Sequence, residues 1–284
     1  MVVKRGRTAG ILVACAGVVL MTLSVAGCSG WGAAAADVSA AEARAAVREA
    51  AEVLVESGTS RTRTAVEMNS GGTRVTIRGA GVFDYAAGTG RLEVVLPGEA
   101  TEDGERRPIV ELITSDALYM RNRGAGVPAD KWVRVDTAGL PDGNLVTGGA
   151  TDPISAAELL RGARSVSFRG EERLHGEKVR HYRGTVDLAV AAEEAGPRAR
   201  KRLAAAAEGL SRRSVPFDAY VDERGRLRKV RHRFTFPASA GAPGREGSGE
   251  VSVVSTTTLY GFGVPVEVEL PEPEDIYTGR IAVP

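Results

Sequence analysis

Residues 73–85 read Thr73-Arg-Val-Thr-Ile-Arg-Gly-Ala-Gly-Val-Phe-Asp-Tyr85. Val75, Ile77, Gly79, Gly81, Phe83 and Tyr85 occupy every second place, and Arg74, Thr76, Arg78 and Asp84 stand between them. Side chains alternate across a strand, so this is a strand with one face turned inward and one toward water. The period of two sets in at Thr59 and continues beyond Tyr85. Leu92, Val94 and Leu96 alternate next, then Ile109 to Ile113, Leu118 and Met120, and Trp132 to Val135. Between these runs lie Ala86 to Gly90, Gly98 to Pro108 and Asn122 to Asp130, rich in turn formers. Strands spaced about ten residues apart and joined by hairpins predict an antiparallel meander.

Helical signals bracket the meander. Ser39 with Glu42 three residues on makes a capping box. Ala43, Ala46, Val47, Ala50 and Leu54 then form one apolar stripe, and Gly58 ends it. A second helix opens at Asp152-Pro153, an N-cap followed by proline at the first turn, and Gly162 closes it. Strand pattern returns at Ser165 to Arg169 and Lys178 to Leu188. Residues 189–210 are helical again, interrupted at Gly196-Pro197, with Leu203, Ala206, Ala207 and Leu210 on one side. The final third reads as four strands, Val215 to Val221, Leu227 to Phe236, Val251 to Tyr260 and Val264 to Leu270, all rich in β-branched and aromatic residues.

The amino terminus has a different character. Lys4, Arg5 and Arg7 precede an apolar run from Ala9 to Ser24, and Val25-Ala26-Gly27-Cys28 follows. A basic start, an apolar middle and small residues before a cleavage point are the parts of a secretory signal peptide. Small residues directly before a cysteine are similar to the lipobox of bacterial lipoproteins. On that reading residues 1–27 are the signal peptide, Cys28 carries a diacylglycerol (palmitate-type) anchor, and residues 28–38 are a tether of small residues. The alternatives are an ordinary signal peptide or an uncleaved anchor, since Ala9 to Gly27 approaches the ~20 residues that span a bilayer. Residues 39–284 are then the folded domain. Of 284 residues, 37 are Lys or Arg and 36 Asp or Glu; removing residues 1–27 leaves 34 against 36, which suggests no nucleic-acid partner. Cys15 is lost with the leader, so no disulfide is expected.

Enzymatic signatures are missing. There is no Gly-x-Ser-x-Gly elbow, phosphate loop or Gly-x-Gly-x-x-Gly. His175, His181 and His232 lack metal-ligand spacing, and His181 and His232 read as half-buried polar residues on strands. Asp187, Asp218 and Asp222 lie near strand ends, where turns favour aspartate. No catalytic residue, metal site or cofactor is expected. Arg224, Arg226, Arg228, Lys229, Arg231 and Arg233 load one hairpin, and Arg198, Arg200, Lys201, Arg202, Arg212 and Arg213 load the segment before it. They read as a solvated outer face, or as a surface attracted to anionic headgroups.

Three stretches in this order, Asp152-Pro153, His181-Tyr-Arg-Gly-Thr-Val-Asp187 and Pro216-Phe-Asp-Ala-Tyr-Val-Asp-Glu-Arg-Gly-Arg-Leu-Arg-Lys-Val230, resemble the LppX/LprG group of bacterial lipoproteins. That group shares its fold with the carrier LolA and the regulator RseB. The resemblance implies an α+β fold: a curved antiparallel sheet, a half-barrel of about ten strands, with helices covering the concave face. It also implies an extracytoplasmic, membrane-anchored protein that holds a lipid or acyl ligand in a hydrophobic cavity, as carrier or sensor. The alternative is a regulatory or scaffold lipoprotein that binds the outer segment of a membrane protein. If the inward face of residues 75–83 lines the cavity, Val75, Ile77, Gly79, Gly81 and Phe83 are the ligand-facing residues, the glycines allowing a bend or a close approach.

Overall fold

The structure, a computed structural model, describes residues 38–70, 73–97, 108–124, 126–147, 151–237 and 250–279. All lie in the compact unit Asp37–Pro284. The leader, Cys28 and residues 28–37 of the tether fall outside the described residues.

Helix α1 spans Ala40–Glu56, and its start is the expected capping box. The Glu42 amide donates to Ser39 Oγ at 3.2 Å and the Ser39 amide donates to Glu42 Oε2 at 2.9 Å. Its buried residues are Ala43, Val47, Ala50, Ala51 and Leu54, one stripe at helical spacing. Gly58, at φ 75°, turns the chain into the sheet.

Eleven strands follow: β1 Thr59–Ser70, β2 Thr73–Asp84, β3 Thr89–Val95, β4 Ile109–Ile113, β5 Ala117–Arg121, β6 Val133–Asp136, β7 Ala163–Leu174, β8 Glu177–Asp187, β9 Ser214–Asp222, β10 Leu227–Pro237 and β11 Glu250–Tyr260. They form one open antiparallel sheet in the order β6-β5-β4-β3-β2-β1-β11-β10-β9-β8-β7. So β1 is the middle strand, and β11 returns beside it to join the two halves. A sheet this wide curls rather than staying flat.

Burial separates the two faces. Along β1, Ser60, Thr62, Thr64 and Val66 are buried while Arg61 and Arg63 are exposed. Register carries the inner face outward from there. Thr64 pairs with Gly79 on one side and Thr257 on the other, and Val66 pairs with Ile77 and Ser255. The concave face is covered by α1, by α2 (Pro153–Glu158, continued by a 3-10 turn to Gly162), and by α3 (Leu188–Glu194) and α4 (Pro197–Gly209), which pack on each other. Asp152 caps α2 through the Ser155 amide at 2.9 Å with Pro153 at the first turn, and Asp187 caps α3.

One reading of the sequence differs from this. Val264 to Leu270 is not a strand. Pro265 and Pro271 remove amide donors, and the segment runs on to meet β6, where the Trp132 amide donates to the Asp275 carbonyl at 2.8 Å. Residues 59–70 form β1, which carries no apolar alternation over its first half. Among the described residues no helix is long and apolar enough to cross a membrane.

Candidate ligand site on the concave side

The five predicted ligand-facing residues lie on the concave face of β2. Val75, Ile77, Gly79, Gly81 and Phe83 stand opposite Met68, Val66, Thr64, Thr62 and Ser60 of β1. They do not share one environment. Phe83 is 1% exposed, stacks on Tyr85 with centroids 5.6 Å apart, and lies so close over Gly90 that a Cβ there would be 2.2 Å from its ring. Val75, at the other end, is half-buried opposite Met68 at the margin of the core. At Gly81 the room of a side chain is filled by the neighbouring strand: a Cβ would lie 1.9 Å from the Arg91 carbonyl oxygen. That glycine serves a close approach of backbone to backbone.

The open space lies nearer the helices. A cavity of about 420 Å³ opens between the end of α1, the start of α2 and the α3–α4 link, within the range of small-molecule sites. Val55, Tyr85, Ile154, Pro197 and Ala199 supply its apolar surface. Two of its charged groups are tied within the wall. Glu158 accepts from Arg161 Nε at 2.9 Å and from the Gly196 amide at 2.8 Å, and Arg198 donates to the Tyr85 carbonyl at 3.2 Å. Glu52 and Glu56 stand exposed at the rim. Beneath, Tyr85 Oη and Ser60 Oγ are 2.5 Å apart, and burial pushes the Tyr85 phenol well above its usual pKa. The cavity thus joins an apolar wall to a floor that is polar.

Further buried polar groups sit on the middle strands β1, β10 and β11 and at Ser155 of α2. The hydroxyls of Thr62, Thr64, Thr257 and Ser155 and Nε2 of His232 are buried without a hydrogen-bond partner in the protein. Burial drives the His232 pKa down to about 3, so this imidazole is neutral. Asp152 and Arg202 form a buried ion pair at 2.9 Å. On β4, Glu111 faces the same side, between Leu92 and Met120 in register, 1% exposed with neither carboxylate oxygen partnered. Burial raises its pKa to about 8 against the opposing field of Arg123. A single acid inside Ile109-Val-Glu-Leu-Ile113 was the visible signal for it. Nothing in the pattern marked the threonines.

The convex face holds His181, Asp218 and Asp222. His181 lies between Glu172 Oε1 at 3.0 Å and Asp218 Oδ1 at 2.9 Å, stacked on Tyr220 at 4.4 Å. Arg183 and Arg233 also reach Asp218, at 2.7 and 3.3 Å. Burial alone would raise the Asp218 pKa, but the bonds from Arg183 and His181 outweigh it and hold it below the usual carboxylate range. Both His181 nitrogens are engaged by carboxylates, so this cluster presents no base poised on a nucleophile. It ties β7, β8, β9 and β10 together. Asp222 organises the next turn, accepting from the Arg224 and Arg226 amides at 3.0 Å and from Arg226 Nε at 2.9 Å, and Arg228 Nη1 reaches it at 3.4 Å. Half of the basic hairpin (Arg226, Arg228 and Arg233) is therefore neutralised internally. Among the described residues no group of three His, Cys, Asp or Glu is placed to hold a metal.

No family model and no curated protein sequence matches this chain. Solved structures do. LprF from Mycobacterium bovis aligns over 81% of this chain and 97% of its own, at 13% identity and a TM-score of 0.43. The lipoprotein LppX of Mycobacterium tuberculosis aligns over 81% and 100%, at 13% identity and 0.44. A LolA superfamily protein from Nitrosomonas europaea aligns over 78% and 94%, at 12% identity and 0.34. This chain is similar to LppX-type and LolA-type proteins, and the likeness is one of fold.

Proposed function

We propose that this chain is an extracytoplasmic lipoprotein that holds a lipid or acyl ligand between its sheet and its helices, as carrier or sensor. The observation that carries the proposal is the cavity at the junction of α1, α2 and the α3–α4 link, whose apolar surface comes from Val55, Tyr85, Ile154, Pro197 and Ala199. Each methylene buried there contributes ~0.8 kcal/mol, so an acyl chain is held by its length alone. The unpartnered hydroxyls of Thr62, Thr64 and Thr257 on the same face favour a ligand that also carries hydrogen-bonding oxygens. No protein partner, nucleic acid, metal or cofactor enters this reading.

A chain of residues 29–284, purified from a bacterium by gel filtration and extracted with organic solvent, is expected to release acyl lipid in near-stoichiometric amount. An empty extract, together with no binding of added fluorescent fatty acid, would overturn the ligand. Capture of a membrane protein's outer segment by that same empty chain would instead support the regulatory reading.

The anchor rests on Ala26-Gly27-Cys28. Two acyl chains on one thioether give the double signal that stable anchoring needs. Cys28→Ser is expected to leave residues 1–27 attached and to block lipidation, read as the mass of the product. Normal processing of that variant contradicts the lipoprotein reading.

A further inference from the structure

We infer that the convex face of the sheet is a docking surface for an anionic bilayer, centred on the ridge made by β2, β1, β11 and β10. A curved sheet meets a flat surface first along its middle, and β1 is sixth of the eleven strands. Register places cations along that line in two rows. Arg78, Ala65, Thr256 and Arg231 lie side by side in one, and Ala80, Arg63, Thr258 and Lys229 in the next. Neighbouring strands are about 4.8 Å apart, so the four bases fall within about 15 Å of one another along the sheet.

Several cations of the sheet have carboxylate partners: Arg91 with Glu93 at 3.2 Å, Arg183 with Asp218 at 2.7 Å, Lys178 with Glu171 at 2.9 Å and Arg134 with Asp116 at 3.6 Å, and on the ridge strands Arg74 with Glu67 and Arg233 with Asp218 at 3.3 Å. Among the described residues Arg63, Arg78 and Arg231 have none. Arg63 instead lies over the Tyr260 ring at 4.8 Å and Lys229 over Tyr220 at 5.1 Å. Between Arg63 and Arg78 the surface dips into a trough of about 360 Å³ floored by Ala65, Ala80, Thr256 and Thr258. Glu93 stands on its wall, engaged by Arg91.

In register Arg78 stands opposite Ala65, Arg63 opposite Ala80 and Thr258, and Arg231 opposite Thr256 on one side and Asp218 of β9 on the other. The cluster does not reflect a basic protein, because residues 28–284 carry more acids than bases. A shallow, small-residue trough with cationic walls suits phosphate headgroups better than a peptide, which needs deep apolar pockets for its anchors.

This surface is independent of the internal ligand and of Cys28, so its failure leaves the proposed function standing. Residues 29–284, which retain the whole compact unit, are mixed with vesicles of phosphatidylglycerol and phosphatidylcholine, or of phosphatidylcholine alone, and sedimented. Binding is expected only to the anionic vesicles and should weaken with salt. Each base near the surface accounts for about fivefold, so Arg63→Glu/Arg78→Glu/Arg231→Glu should lose at least about 100-fold. The milder Arg63→Gln/Arg78→Gln/Arg231→Gln guards against misfolding and should also lose most of the binding, with an unchanged melting curve. Arg44→Glu/Arg169→Glu/Lys201→Glu, the same charge change away from the ridge, should bind as wild type does. Failure to bind anionic vesicles at low salt overturns the proposal, as does equal loss in the two glutamate triples. Binding to polyglutamate with indifference to vesicles overturns it in favour of an acidic polypeptide.

Discussion

Asp152→Ala is expected to cost about 3–5 kcal/mol of folding free energy, the size seen when one partner of a buried ion pair is removed. Asp152 is 0% exposed and does two things at once. Oδ1 accepts from the Ser155 amide and caps α2; Oδ2 accepts from Arg202 Nη1 at 2.9 Å. Alanine removes the cap, worth about 1 kcal/mol, and leaves a guanidinium whose side chain is 3% exposed without its counter-ion. Nε of Arg202 already lacks a partner. For a unit of this size the melting temperature should fall by on the order of 10 °C. Asp152→Asn keeps the cap and loses only the charge, so it should fall between wild type and alanine. A loss below about 1 kcal/mol for Asp152→Ala would mean that Arg202 finds water in the folded state.

Glu111→Gln should change how stability depends on pH. In the folded chain the Glu111 carboxyl keeps its proton up to about pH 8, whereas an unfolded glutamate loses it near 4.5. Between those values the folded state binds the extra proton, so stability falls as pH rises. The slope is about 1.4 kcal/mol per pH unit, reaching on the order of 5 kcal/mol in total above pH 8. Glutamine has the same shape and no proton to lose. Melting curves from pH 5 to 9 should therefore decline for wild type and stay flatter for Glu111→Gln, with the variant the more stable protein at pH 8. Parallel curves would show that Glu111 ionises in the fold without penalty.

The parts of the fold that were readable from the residues are those governed by local rules. Ser39 with Glu42, Asp152 with Pro153 and the break at Gly196-Pro197 all lie where capping and turn chemistry placed them. The middle strand starts at Thr59, where the period of two sets in, but it carries no apolar stripe by which to bound it. Its inward residues Ser60, Thr62 and Thr64 are polar, so burial left no apolar alternation to read. A chain with unremarkable polar pattern at its centre and apolar pattern at its wings is what a lined interior looks like from sequence. Val264 to Leu270 made the reverse case, with alternating valines but prolines where a ladder needs donors. The stripe Val75 to Phe83 alternates as read, yet periodicity is blind to where the volume goes. Gly81 gave its space to Arg91 of the adjacent strand, and the cavity formed where three helix ends fail to meet. The charge run on the β9–β10 hairpin was equally opaque, because only the register shows that Asp218 and Asp222 neutralise half of it.

The claim at the centre of this account is that the space under α1, α2 and the α3–α4 link seats an acyl chain. Gly196 allows a direct test, since its φ of −58° suits any residue and a Cβ there would meet Glu158 Oε1 at an ordinary 3.6 Å. Gly196→Leu adds a side chain at the cavity wall while keeping the amide that Glu158 accepts from. Titration of a fluorescent fatty acid into residues 29–284 should show saturable binding to wild type and at least about tenfold weaker binding to Gly196→Leu, the variant melting as wild type does. Equal affinity of the two, or no saturable binding to either, would contradict the account.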